Sequence, residues 1–247
     1  EKELMTAYGA DMSKYLDSGN EARIKKAYES RDPRLQMAVI TPYAQYNGAS
    51  SGIAHTYTLR WPYRGSDSAE PFDIRTDTND KFYYLWRKFV PEGLEQTERD
   101  TYGLDIPLIR YAEVLLLKAE ALNEWGSTHE SEAIRCVNEV RRRAGHVELN
   151  NATYPATKVN GQSDLRERIR NEYYWEIGGE DSMYFHELRW GTWKDKKFDN
   201  NRNGLMQMWG ETTYTWYWLG DQCWSWPIPA KEMEMNSNLE QNEGWIN

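Results

Sequence analysis

The amino-acid sequence predicts a mostly α-helical protein of paired helical hairpins, carrying long irregular loops and a few short strands. Three observations predict it. Between Asp105 and Gly191 apolar residues recur at helical spacing, and each run is bracketed by capping residues. Residues 36–104 show no sustained helical period and are rich in Tyr, Gly, Ser, Thr and Pro. Residues 192–247 are again irregular, rich in Trp, and close on Pro227-Ile228-Pro229.

The elements follow in order. A helical segment from about Asn20 to Ser30 is stopped by Asp32-Pro33, since proline lacks the amide proton that a helix interior needs. Met37–Ile40 and Phe82–Phe89 read as short strands embedded in loops. A loop region this long inside a compact domain is usually functional. The first strong helix takes Asp105 as its cap and Pro107 in its first turn. Its apolar stripe is Leu108, Tyr111, Ala112, Leu115, Ala119 and Leu122, and Gly126 ends it. The second opens on a capping box from Ser127 to Glu130 and buries Ala133, Ile134, Val137, Val140 and Ala144. It sets Arg141-Arg142-Arg143 at its dipole-negative end before Gly145. A short loop between two such helices gives an antiparallel hairpin. The small residues Ala112, Ala119 and Ala121 would let the partner approach closely, in the tetratricopeptide manner. A third helix runs from Asp164, with Glu167 completing its capping box, through Ile177, and a fourth from about Ser182 to Arg189. Two helix pairs are too few for a stable solenoid, so further structure is expected to cover their exposed end.

Bulk composition narrows the function. With 247 residues, 39% hydrophobic and 28% charged, the chain can bury a core as one large domain or two small ones. A net charge of −9 argues against a nucleic-acid surface, which needs clustered Lys and Arg. No apolar run, Val114-Leu115-Leu116-Leu117 included, comes near the length of a bilayer span. Residue 1 is Glu, with no signal sequence or lipid-accepting cysteine before it, so a processed or excised chain is expected. Cys136 and Cys223 make neither a disulfide framework nor a metal cluster, and Cys136 reads as a small buried apolar residue. The aromatic content is skewed, with 12 Trp and 17 Tyr against 5 Phe. Rings with a polar handle suit surfaces that are apolar on one side and wet on the other, although they also fill large cores.

Four stretches resemble the SusD/RagB family, in order and at matching spacing. Asp32-Pro33-Arg34-Leu35 is similar to the family's element after an early helix. Ile106 through Leu116 (IPLIRYAEVLL), followed by Ala119 through Glu124 (AEALNE), is the most specific block. Val137 through Gly145 (VNEVRRRAG) resembles the family's second helix. Pro227-Ile228-Pro229, then Glu232, Asn236, Leu239, Gln241-Asn242 and Gly244, resembles its C-terminal tail. Between them Glu172, Glu176, Glu180, Tyr184-Phe185 and Arg189-Trp190-Gly191 are in place. Tyr173, Asp181, Met183, His186 and Glu187 stand where the family usually has Arg, Gly, Arg, Asp and Leu.

The resemblance implies a tetratricopeptide-like fold and the C-terminal half of the family's chain. Residues 1–104 would carry the early helix and ligand-binding loops, 105–191 the helices and 192–247 the Trp-rich tail. It implies an N-terminal half, absent here, bearing further helical units and a lipidated cysteine, the protein's one attachment to the membrane. It also implies a location on the bacterial outer-membrane surface, above a SusC-like TonB-dependent transporter. The activity implied is non-catalytic capture of an oligosaccharide or polysaccharide, with no cofactor.

Glycan binding needs flat apolar faces for sugar C–H surfaces and planar polar groups for hydroxyls. Tyr57, Arg60, Trp61, Tyr63 and Arg64 supply both within eight residues, preceded by Tyr43 and Tyr46 and followed by Asp67 and Asp73. In an extended stretch Tyr57, Trp61 and Tyr63 share one face. The expected ligand-binding residues are therefore Tyr43, Tyr46, Tyr57, Trp61, Tyr63 and Arg64. Trp61-Pro62 would serve equally to pack the loop onto the helices. A second aromatic run, Trp209, Tyr214, Trp216, Tyr217 and Trp218, lies beside the C-terminal tail and reads first as core.

An enzyme is not expected. Glu172, Glu176 and Glu180 form a same-face column flanked by Arg166 and Arg168, with Arg110 or Arg189 as further partners. A glycosidase instead sets two carboxylates on opposite sides of the scissile bond. His55, His129, His146 and His186 are scattered without metal spacing, and no phosphate loop or nucleophile motif occurs. A peptide ligand and a tetratricopeptide-type adaptor role remain as alternatives.

Overall fold

The structure is a computed structural model, and it describes residues 28, 31–50, 53–60, 73–75, 85–93, 105–180, 182–198 and 217–245. They fall into two compact units, one within residues 12–183 and one built from Tyr184 onward. In the first, helix α1 spans Pro33–Ala38. Asp32 caps it, accepting from the Arg34 amide at 2.9 Å, with proline at the first helical position. The cap explains why Met37 and Ala38 are helical where a strand was expected, leaving only Val39–Ile40 as strand β1. The helix expected from Asn20 to Ser30 lies outside the described residues except for Tyr28, which is helical and buried.

Strands β2 (Gln45–Ser50) and β3 (Ile53–Arg60) pair antiparallel, and β4 (Asp73–Arg75) adds parallel to β3. A second ladder joins β1 to β5 (Leu85–Trp86); of the expected strand Phe82–Phe89, residues 82–84 lie outside the described residues and Arg87, Lys88 and Phe89 are not strand. The chain turns sharply after it, with Phe89 at φ 62. The β5 residue Trp86 lies against Gly179, at φ 82, where a Cβ would come within 2.8 Å of the indole.

Helices α2 (Tyr111–Trp125) and α3 (Glu130–Arg143) form the expected hairpin, and α4 (Gln162–Ile177) packs on α2. The core lies where they meet: Leu115, Leu116, Ala119, Ala133, Val137, Val140, Leu165, Ile169, Tyr173 and Ile177. Three helix starts differ from expectation. Helix α2 begins at Tyr111 rather than near Asp105 and Pro107, because Arg110 is extended (φ −113, ψ 153) and its guanidinium is bonded to Glu176 and Glu180. Leu108 and Tyr111 are consequently 89% and 68% exposed instead of buried. Of the three small residues expected at the helix contact, Ala119 is fully buried while Ala121 is exposed. Ahead of α3, Ser127–His129 coil into a 3-10 turn. The Glu130 amide bonds the Ser127 carbonyl, so the Ser127 hydroxyl makes no cap. Helix α4 starts two residues early, where Gln162 exchanges side-chain and carbonyl hydrogen bonds with Asn123 of α2. Asp164 accepts from the Asn160 amide and from Arg168 inside the first turn.

The second unit holds the larger part of α5 (Ser182–Arg189), α6 (Trp193–Lys197) and α7 (Ala230–Met235). Trp193, Phe198, Trp218 and Trp224 pack edge-to-face or tilted there, with centroids 4.9–5.6 Å apart. Gln241 clamps Ile228 of the Pro-Ile-Pro segment through both backbone groups. Among the described residues no helix is long and apolar enough to cross a membrane.

Candidate functional site

The β2–β3 ladder places Tyr46 directly opposite Tyr57 and Gly48 opposite His55. Residues opposed in an antiparallel pair share a face, so these side chains stand on one surface. The two tyrosine rings are 6.5 Å apart and tilted by 44°, and His55 meets Tyr57 edge-on at 6.2 Å. Gly48 makes this possible: a Cβ there would lie 2.8 Å from Tyr57 Cε2 and 3.0 Å from Tyr46 Cε1. Tyr46 and Tyr57 are both half-buried.

Residues 85–93 hold the outer edge of β2. Tyr46 donates its hydroxyl to the Pro91 carbonyl at 2.5 Å. The Asn47 amide bonds Glu92, and its carbonyl accepts from the Gly93 amide at 2.8 Å. Arg87 ties Glu92 to the carbonyls of Gln36 and Gln45. An otherwise open strand edge is thereby covered.

The structure thus brings together two of the expected ligand residues, Tyr46 and Tyr57. Tyr43 is 8% exposed and sits in the turn entering β2 at φ 63, its amide bonded to the Leu59 carbonyl. Trp61, Tyr63 and Arg64 lie outside the described residues, as does Asp67. Of the second aromatic run, Trp209, Tyr214 and Trp216 lie outside as well, Tyr217 is 70% exposed, and Trp218 joins the cluster with Trp193. His55 and Gly48 were not singled out from sequence. Their signal was the register opposite Tyr46 and Tyr57, which needs the pairing to be known.

The glutamate column is an ion-pair network. Glu172 is fully buried and takes Arg34 at 2.7 Å and Arg141 at 2.8 Å. Glu176 takes Arg34, Arg110 and Arg143 at 3.1, 2.9 and 2.6 Å. Glu180 takes Arg110 and Lys88. Only Arg110 was among the expected partners. Arg168 instead pairs with Asp164, Arg166 with Glu124, and Arg189 bonds His186. The true partners come from α1, the β5 turn and the end of α3, so helical spacing could not reveal them. Burial would push the Glu180 and Asp32 carboxyls up, but hydrogen bonds from Arg110 and Lys88, and from Arg34, hold both below their ordinary values. Burial lowers the Arg34 pKa, but Asp32 and Glu172 outweigh it and raise the value. Each of these carboxylates lies inside the fold against arginine or lysine. Among the described residues no group of His, Cys, Asp and Glu could hold a metal ion. Cys136 is fully buried, and burial raises its thiol pKa.

The chain resembles known proteins along its length. It is 32% identical over 139 residues to SusD-like protein P38 of Formosa agariphila, covering 56% of this chain and 24% of that protein. It is 28% identical over 161 residues to the starch-binding protein SusD of Bacteroides thetaiotaomicron, covering 65% and 25%. It therefore spans about a quarter of the length of these relatives. A SusD-like protein from Bacteroides fragilis superposes with a TM-score of 0.57 at 22% identity, over 89% of this chain and 40% of that one. A SusD homologue from Bacteroides thetaiotaomicron gives 0.55 at 22%, over 90% and 42%. The fold is thus the SusD-like helical one. With the SusD family model matching residues 3–245, nearly the whole sequence, this chain belongs to the SusD family.

Proposed function

We propose that this chain is part of a non-catalytic cell-surface protein that captures oligosaccharide or polysaccharide and delivers it to a SusC-like TonB-dependent transporter. The half-buried Tyr46–Tyr57 pair carries the reading. Two rings on one sheet face, held by the Pro91 carbonyl and seated over Gly48, form a preorganised surface for sugar C–H groups. Membership of a family that includes a starch-binding protein supports a glycan as ligand. Trp61, Tyr63 and Arg64, which follow β3 in sequence, are further proposed ligand residues. The neutralised glutamates support binding without hydrolysis, since none is placed as an acid/base pair across an open cleft. A lipid anchor attaches the full protein to the outer membrane.

Affinity gel electrophoresis against a panel of neutral and acidic polysaccharides tests this. Retention by at least one glycan, lost in Tyr57→Ala and with no release of reducing ends, is the expected result. Retention by none, or reducing-end release that Glu172→Gln or Glu176→Gln abolishes, would overturn it. Co-purification of a transporter with the native lipoprotein after mild detergent extraction tests the partner.

A further inference from the structure

A cavity of about 320 Å³ opens beside the ion-pair network, lined by Arg34, Lys88, Phe89, Arg110, Arg143 and Trp175, with Glu176 among its walls. Its size is that of a small-ligand site. Its charge does not balance. Among the described residues five cations (Arg34, Lys88, Arg110, Arg141, Arg143) meet four carboxylates (Asp32, Glu172, Glu176, Glu180), an excess of one positive charge. The chain as a whole carries −9, so a local positive excess runs against its composition. The excess falls at Arg143. Its side chain is 61% exposed, and its ion pair uses Glu176 Oε2, an oxygen that Arg34 also occupies. Burial and the neighbouring Arg141 push the His146 pKa below its ordinary value, so this residue adds no charge at neutral pH. Two aromatic side chains flank the cations, Trp175 at 45% exposure and Phe89 in the left-handed region at φ 62. Backbone strain of that kind concentrates at ligand-binding positions.

We propose that this cavity is a subsite for a uronic-acid residue of the bound glycan, its carboxylate taken by Arg143 and its ring by Phe89 and Trp175. A guanidinium with donors to spare matches a carboxylate's two oxygens. The inference rests on the glycan reading and names the substrate class.

Calorimetric titration of the intact protein with a uronate-containing oligosaccharide, and with the same oligosaccharide after carboxyl reduction, decides it. The acidic form should bind about tenfold more tightly, a preference that shrinks as salt rises. Arg143→Gln should abolish the preference, bringing the acidic and reduced forms to equal affinity, and Trp175→Ala should weaken both. Equal affinity for the two forms, a preference that survives Arg143→Gln, or binding of neither form overturns the inference. The glycan reading falls separately, on retention by none of the neutral and acidic polysaccharides of the panel.

Discussion

Glu172→Ala separates a structural glutamate column from a catalytic one. Its carboxylate has no solvent exposure and bridges two guanidiniums whose side chains are 11% and 6% exposed. After its removal Arg34 keeps Asp32 and Glu176. Arg141 keeps only the Val147 carbonyl among its hydrogen-bond acceptors in the described residues, a neutral partner for a buried charge. Breaking a buried pair this way costs about 3–5 kcal/mol, because the remaining charge is uncompensated. At the 2–4 °C per kcal/mol expected of a unit this size, the melting temperature should fall by roughly 6–20 °C. Glu124→Ala is the internal control. Its pair with Arg166 joins side chains 45% and 33% exposed, and such a surface pair is worth about 0–1 kcal/mol. Far-UV circular dichroism melts of both variants provide the comparison, with glycan retention measured well below either midpoint. Equal melting temperatures for the two variants would refute the network as a stabilising element. Unchanged melting with lost glycan binding would place Glu172 in the ligand site instead.

Other outcomes follow from the same geometry. Trp61→Ala should weaken glycan binding by roughly 2 kcal/mol, the scale of an aromatic anchor, with the melting curve near wild type; a variant that melts early, or binds normally, removes Trp61 from the platform. Tyr46→Phe deletes the bond to the Pro91 carbonyl and should cost about 1 kcal/mol of stability. Gly48→Val should displace the Tyr57 ring, whose Cε2 lies 2.8 Å from the added Cβ, and lower glycan affinity as well; unchanged affinity would show that the ring pair does not hold the sugar. Stability should also fall in acid. Asp32 and Glu180 titrate below their ordinary values of 3.8 and 4.5 when folded, so their contribution is complete above those values. As pH drops further the unfolded chain binds protons first, and the contribution is lost through the depressed folded values. Urea midpoints that stay flat across that acid range would contradict these ion pairs.

How much of this was legible before the fold depends on how local each feature is. The α2–α3 hairpin, the end of α4 at Ile177 and the whole of α5 could be read from periodicity and stop signals, because those act within a few residues. The family could be read from the spaced blocks around Asp32, Ile106, Val137 and Pro227. The start of α2 could not. Asp105 and Pro107 favour a helix locally, yet long-range bonds from Arg110 to Glu176 and Glu180 keep the preceding backbone extended. The glutamate column was visible as spacing on one helix, but its true partners Arg34, Arg141, Arg143 and Lys88 are brought to it by three other segments. Likewise Tyr46 and Tyr57 were nameable as aromatic residues in a loop-rich region, but not as a pair over Gly48, since strand register is a property of the pairing. The sequence by itself determined the helices that run from α2 to α5, apart from where each begins, and the family they build. The tertiary structure alone decided which charges meet and which rings share a face, because both are set by contacts between residues far apart in the chain.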